Sequence, residues 1–229
     1  MKRYLEFKGI NKSFPGVRAL RDISFRTEAG RVLALLGENG AGKSTLLKIL
    51  SGDLQADSGE IIFSGEPQHF ASPNEAIRAG VSVIYQERQM IPELSVMENI
   101  FAGDLPKGRF HMIDQRELKR RATEIISKFG LDIDPEMPVG HLSVAYQQMV
   151  EIMKAYQRGS EIICFDEPTA SLAEAEISIL FKLIDELREH GKIIIYVSHR
   201  MAEIFQVTDD IVVFKDGTLV KTFTTKETT

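Results

Sequence analysis

The chain has 229 residues, 43% of them hydrophobic, enough to bury one large core or a core with a satellite subdomain and too many for a disordered polymer. Its net charge of −5, from 28 basic against 33 acidic residues without a block of one sign, argues against broad nucleic-acid binding. The single Cys164, inside an apolar run, excludes an internal disulfide framework and fits a reducing compartment. No stretch approaches the roughly 18 uncharged apolar residues needed to cross a bilayer, so any membrane role is expected to be peripheral.

Short alternating pieces in residues 3–30, Leu5/Phe7 and Ile23/Phe25, are separated by Pro15-Gly16 and closed by Ala29-Gly30, which predicts antiparallel strands. Residues 32–36 then run apolar without alternation, as in a strand buried on both faces of a parallel sheet. The nonapeptide that follows is Gly37, Glu38, Asn39, Gly40, Ala41, Gly42, Lys43, Ser44 and Thr45. Its glycines free the backbone so that successive N–H groups can cradle phosphate oxygens. Lys43 is placed to reach the β- and γ-phosphates, Ser44 to hold Mg2+, and residues 44–50 to form a helix whose positive end faces the same phosphates. A glycine turn alone is weak evidence, but G-x-x-x-x-G-K-S between a strand pattern and a helix pattern is a specific sign of a nucleotide phosphate site.

Residues 59–65 read as another strand of the small sheet, and Ser72-Pro73-Asn74-Glu75 as a capping box opening a short helix that ends at Gly80. Residues 81–85 form a core strand with Gln86 at its carboxyl end, the edge where open α/β sheets bind ligands. From Arg88 to Ser160 helical patterns replace strands. Asp114 caps a helix reaching Phe129-Gly130 and Ser143 begins one reaching Arg158-Gly159, so residues 88–160 are expected to be an inserted helical subdomain.

A second buried run ends at Asp166-Glu167, where Asp166 suits a Mg2+ carboxylate and Glu167 a group that polarises water. By itself such a pair is more often an acidic turn after a strand; the phosphate loop favours catalysis. Ser171-x-x-Glu174 is expected to cap a helix striped by Ile177, Leu180, Ile184 and Leu187. Residues 192–198 form the next strand, with His199 at its tip to contact the γ-phosphate or hold the water; otherwise it is an exposed loop histidine. A hairpin turns at Asp216-Gly217, and residues 224–229 are expected to fray. Phe14 can stack on adenine, although a lone aromatic is more often core.

The order of these motifs, with Tyr85-Gln86-Glu87, Leu142-Ser143 and Ser198-His199-Arg200, resembles the ATP-binding-cassette (ABC) ATPases over essentially the whole chain. The resemblance implies an α/β fold: a P-loop NTPase (RecA-like) core with an antiparallel β subdomain, together residues 1–87 and 161–229, and a helical signature subdomain, residues 88–160. It gives Gln86 the role of sensing Mg2+ and the membrane partner, Glu167 that of general base and His199 that of the switch histidine. It makes Phe14 the adenine-stacking aromatic and Ser143 a contact to nucleotide on an opposing cassette.

Residues 14–20, 92–101 and 198–205 look most like the first cassette of monosaccharide importers. That subgroup implies ATP and Mg2+ as cofactors, membrane permease subunits and a second cassette as partners, and a periplasmic or extracellular sugar-binding protein as an indirect one. It implies a peripheral position on the cytoplasmic face and no nucleic acid.

Two departures stand out: Leu142-Ser143-Val144-Ala145-Tyr146 replaces Leu-Ser-Gly-Gly-Gln, and Ala173 replaces the Asp that usually closes the D-loop. They leave open a nucleotide-binding cassette with little turnover, beside a second alternative, a soluble ABC-type ATPase not linked to transport. The identity of the sugar is not written in these residues.

Overall fold

The computed structural model describes residues 3–85, 89–107 and 112–227. Elements are numbered in chain order. Strands β1 (Tyr4–Phe14) and β2 (Val17–Glu28) pair antiparallel, β3 (Arg31–Leu36) joins a different sheet, and β4 (Ser58–Phe63) pairs with the free edge of β1 and with β5 (Glu66–Gln68). The small sheet therefore has the order β2-β1-β4-β5. Its first two strands are longer than the alternating pieces foretell, because register shifts between Phe7 and Lys12 absorb a break in the alternation. The Gly9 N–H there donates to Ser24 Oγ at 2.8 Å instead of to the ladder.

The second sheet adds β6 (Val81–Ile84), β7 (Ile162–Asp166), β8 (Ile193–Val197), β9 (Asp210–Lys215) and β10 (Thr218–Thr224), in the order β10-β9-β3-β8-β7-β6. The pairs β9·β3, β3·β8 and β8·β7 are parallel. Residues 32–35, 162–166 and 193–197 are buried without exception. Each large apolar side chain buried there contributes about 2 kcal/mol, which is why these runs settle in the sheet interior. Arg31 anchors the start of β3 by a double hydrogen bond to Asp210, with both contacts at 2.6 Å. The β9–β10 hairpin turns through Asp216 and Gly217, both with positive φ. Its continuation does not fray at once: Thr225 is buried and its N–H donates to Asp209 O at 2.9 Å.

Seven helices are described: α1 (Lys43–Leu50), α2 (Pro73–Arg78), α3 (Val96–Ile100), α4 (Gln115–Lys128), α5 (Val144–Gln157), α6 (Glu174–Glu189) and α7 (Met201–Val207). Two helix starts depart from expectation. Ser72 occupies the N-cap of α2 but its hydroxyl makes no capping bond, and Glu75 reaches back to the Ala71 N–H instead, at 2.8 Å. Ser171 does not cap α6. Residues 168–171 form turns with Leu172 packed inward, so the helix begins at Glu174, and Glu176 accepts from the Ala173 N–H at 2.6 Å.

The chain divides into two compact units. One comprises Met1–Val83, Ser160–Glu167 and Ile184–Thr229, with nearly all of both sheets. The other comprises Ile84–Gly159 and Pro168–Leu183, so it begins four residues before the expected boundary and takes in a piece after Glu167 that sequence patterning left with the core. Within this second unit Asn99, 1% exposed, accepts from Ile91 N–H at 2.9 Å. Its amide group donates to the carbonyls of Ile91, Leu94 and Ser95 at 3.0–3.2 Å. One side chain thus fixes the segment entering α3. Asn99→Ala strands those backbone groups and is expected to lower the stability of this unit by about 2–3 kcal/mol, read by denaturant unfolding with hydrogen exchange on residues 91–95.

Candidate functional site

The phosphate loop is set by steric contacts at two glycines. Gly37 has φ 152°, and a Cβ there would lie 2.4 Å from the Phe214 carbonyl oxygen of β9. Gly42 has φ 105°, and a Cβ would lie 2.7 Å from the Ala19 carbonyl oxygen of β2. A side chain at either position would push the loop off the strands that hold it. Between them Glu38, Asn39 and Gly40 are exposed, while Ala41 is buried and its N–H donates to Glu38 O at 3.1 Å. Helix α1 then starts at Lys43 with no side-chain cap and no acidic residue in its first turn, so its positive end is open to an anion.

Lys43 Nζ lies across this loop, donating to Gly37 O at 2.6 Å and to Glu38 O at 3.1 Å. Burial lowers its pKa, and the charges of Glu167 and Asp166 oppose that shift. Ser44 is exposed and Thr45 half-buried, one turn into the helix.

Strand register brings the carboxylates to the same edge. Leu35 of β3 is level with Val197 of β8, and Val197 with Asp166 of β7, so the loop after each strand leaves from one rim of the sheet. Asp166 is buried on this rim, and Ser44, the residue beside the phosphate-loop lysine, is among the groups that act on its charge. Burial raises the Asp166 pKa first and the neighbouring Glu167 charge adds to it; Lys43, Lys48 and Ser44 pull the other way. Glu167 takes the left-handed conformation, φ 52°, and its N–H donates to Val197 O at 2.9 Å. That conformation costs a non-glycine residue about 1–2 kcal/mol and turns the side chain off the strand axis. The exposed His199 meets it, with Nδ1 2.6 Å from Glu167 Oε2.

Two adjacent carboxylates, one of them resisting ionisation, favour a cation. The oxygen donors Ser44 and Asp166 suit Mg2+, which needs few protein ligands when phosphates and water supply the rest. Among the described residues no group of three His, Cys, Asp or Glu side chains forms a protein cage for a metal.

Phe14 is not core: it ends β1 opposite Val17, 43% exposed, with the Lys12 ammonium 5.7 Å from its ring centroid. Ser143, in the second unit, caps α5 by accepting from the Tyr146 N–H at 3.3 Å, and Val144 beside it is 49% exposed. Gln86 lies outside the described residues. Sequence reading missed Glu203, a buried carboxylate on α7 bound by Tyr196, Ser198 and Arg200 on either side of His199. The signal available was a tyrosine in an otherwise apolar strand and an acidic residue four positions after the histidine.

Comparison with known proteins agrees with this geometry. The ABC transporter family profile matches residues 20–170. The arabinose import ATP-binding protein AraG of Yersinia pestis is 54% identical over 220 residues, covering 96% of this chain and 42% of the relative. The AraG of an Escherichia coli O6:K15:H31 strain is 53% identical over 222 residues, with 96% and 44% covered. The chain thus spans less than half the length of these curated relatives. A nucleotide-free ATP-binding cassette from an ABC transporter superposes with a TM-score of 0.85 at 25% identity, over 97% of this chain and 91% of its own. A cassette in its ADP conformation gives 0.85 at 25% identity, over 99% and 93%. The phosphate loop, the carboxylate edge and these similarities together establish that the chain belongs to the ABC transporter family.

Proposed function

We propose that this chain is an ATP-binding and hydrolysing cassette that energises import of a small sugar through separate membrane permease subunits. The observation that carries the reading is the convergence, on one sheet edge, of the Lys43 loop, the buried Asp166 and the His199–Glu167 contact. The sugar class rests on the relatives, which are named for arabinose import. A second cassette and, indirectly, a sugar-binding protein complete the assembly, with the chain peripheral on the cytoplasmic face. No described helix is long and apolar enough to cross a membrane.

In this reading the N–H groups of residues 37–45 and the Lys43 ammonium bind the β- and γ-phosphates, and Phe14 stacks on adenine. Ser44 and Asp166 hold Mg2+, which when bound offsets the charge shared by the β- and γ-oxygens. Gln86 belongs to the same metal site by the family pattern. Glu167 orients the attacking water and takes its proton. With Nδ1 against Glu167, the other ring nitrogen of His199 would be left to face a γ-phosphate oxygen, so one histidine links the water side to the phosphate side.

The altered signature supports an asymmetric pair. Backbone N–H groups of signature glycines can approach a γ-phosphate bound on an opposing cassette, and the Cβ atoms of Val144 and Ala145 hinder that approach. Ser143 still offers a hydroxyl at the positive end of α5. The site built on Lys43 and Glu167 is then the hydrolytic one, and the site completed by Val144, Ala145 and Tyr146 mainly binds nucleotide. The soluble-ATPase alternative predicts no permease in a pull-down with membrane subunits.

Three outcomes test this. Lys43→Ala should weaken ATP binding about 10–100-fold, the loss of a charge-assisted contact, in a fluorescent-nucleotide titration. Glu167→Gln should retain binding and lower kcat about 100-fold or more, since only water activation is removed; undiminished turnover takes Glu167 out of the base role. In a reconstituted transporter, Lys43→Ala here should abolish sugar uptake, whereas the equivalent change in the partner cassette should leave a measurable rate. The opposite pattern reverses the assignment of the two sites.

A further inference from the structure

We propose that Glu203 is a positioning residue that sets the direction of the His199 side chain toward Glu167. The proposal rests on the ATPase reading of His199 given above and adds to it the group that aims the ring.

Three residues around the histidine converge on one carboxylate. The Tyr196 hydroxyl donates to Glu203 Oε2 at 2.9 Å and the Ser198 hydroxyl to the same oxygen at 3.0 Å. The Arg200 guanidinium donates to Oε1 at 3.1 Å, and the Arg200 backbone N–H donates to Ser198 Oγ at 3.1 Å. Glu203 is 7% exposed, and Tyr196 and Ser198 are buried as well. The chain bends at His199, just past the end of β8. Residues 196, 198 and 200 are tied to Glu203, which holds both arms of that bend and leaves the exposed His199 side chain against Glu167.

The chemistry requires an acceptor. Three donors meet two oxygens, and a carboxylate accepts with both while donating nothing. An amide of the same size can keep its oxygen on the guanidinium only by turning its NH2 to the two hydroxyls, which must then reverse from donor to acceptor, Ser198 Oγ while already accepting from the Arg200 N–H, and the carboxylate's charge opposite Arg200 is lost. Glu203→Gln therefore loosens the turn that carries His199 without changing its volume. Glu203 lies on α7, outside the phosphate loop and the strand that carries Asp166, so nucleotide binding should be spared.

The test uses the 229-residue chain with Mg-ATP. Glu203→Gln should lower kcat about tenfold and change KM by less than about twofold, as a misaimed catalytic group does. In a His199→Ala background the same change should add less than about twofold, because its effect passes through His199. With histidine-labelled, nucleotide-free protein, the ring signals of His199, assigned by His199→Gln, should move in Glu203→Gln while those of His69, His141 and His190 stay. Unmoved His199 signals, or an equal loss of kcat in the His199→Ala background, overturns the proposal. If the unsubstituted chain hydrolyses no ATP, the ATPase reading fails and the NMR comparison alone decides for or against Glu203. Should Glu203→Gln fail to fold, Tyr196→Phe and Ser198→Ala, each removing one donor and leaving the carboxylate, are subject to the same two criteria with smaller shifts.

Discussion

Parallel pairing of β3, β8 and β7 is the constraint on which the site depends. Adjacent strands lie about 4.8 Å apart, so the ends of β3 and β7 are separated by roughly 10 Å with β8 between them. The intervening strand keeps the carboxylates from collapsing onto the phosphate loop and places His199 between the two. Level register at Leu35, Val197 and Asp166 makes the three connections leave the sheet on one side. The hydrogen bond from Glu167 N–H to Val197 O continues that pairing one residue past β7, and it holds Glu167 in its left-handed conformation.

Charge and sterics then divide the work. Phe214 and Ala19 carbonyl oxygens close on Gly37 and Gly42, so the loop has no room for side chains at its ends. Lys43 lies within reach of the Asp166 and Glu167 charges and Lys48 of that of Asp166, and burial lowers the Lys43 pKa and raises that of Asp166. Each group is held in an environment that disfavours its own charge and favours a partner of opposite sign, whether protein, metal or phosphate.

The second unit is organised by different means. Its helices are short or strongly charged outward: Arg120 and Arg121 both bind Glu117 on α4, and these exposed pairs contribute little to stability. Order at its entry comes from buried polar satisfaction, with the Ser95–Glu98 capping box and Asn99 tying down the segment before α3. The departure from the family signature lies at the exposed start of α5. The helix that Ser143 caps begins there at Val144, which is exposed.

Local features of this protein were legible in the sequence because short-range sterics and burial decide them. The glycine loop, the unalternating apolar runs, the Asp216-Gly217 turn and the Asp114 and Ser143 caps each follow from a few neighbouring residues. The resemblance to ABC ATPases drew on the same short motifs. Tertiary structure decided what no short window contains. The order β3-β8-β7, which seats His199 beside Glu167, pairs Arg31 with Ile193 far along the chain and Ile162 with the same Ile193, and although apolar runs mark buried strands, no short window says which of them are neighbours. The same holds for the start of α6 at Glu174, where packing of Leu172 prevailed over a plausible serine cap, and for the compact unit that takes in Pro168–Leu183. Glu203 had no motif to mark it, since its meaning lies in three donors that only folding of β8 against α7 brings to one carboxylate.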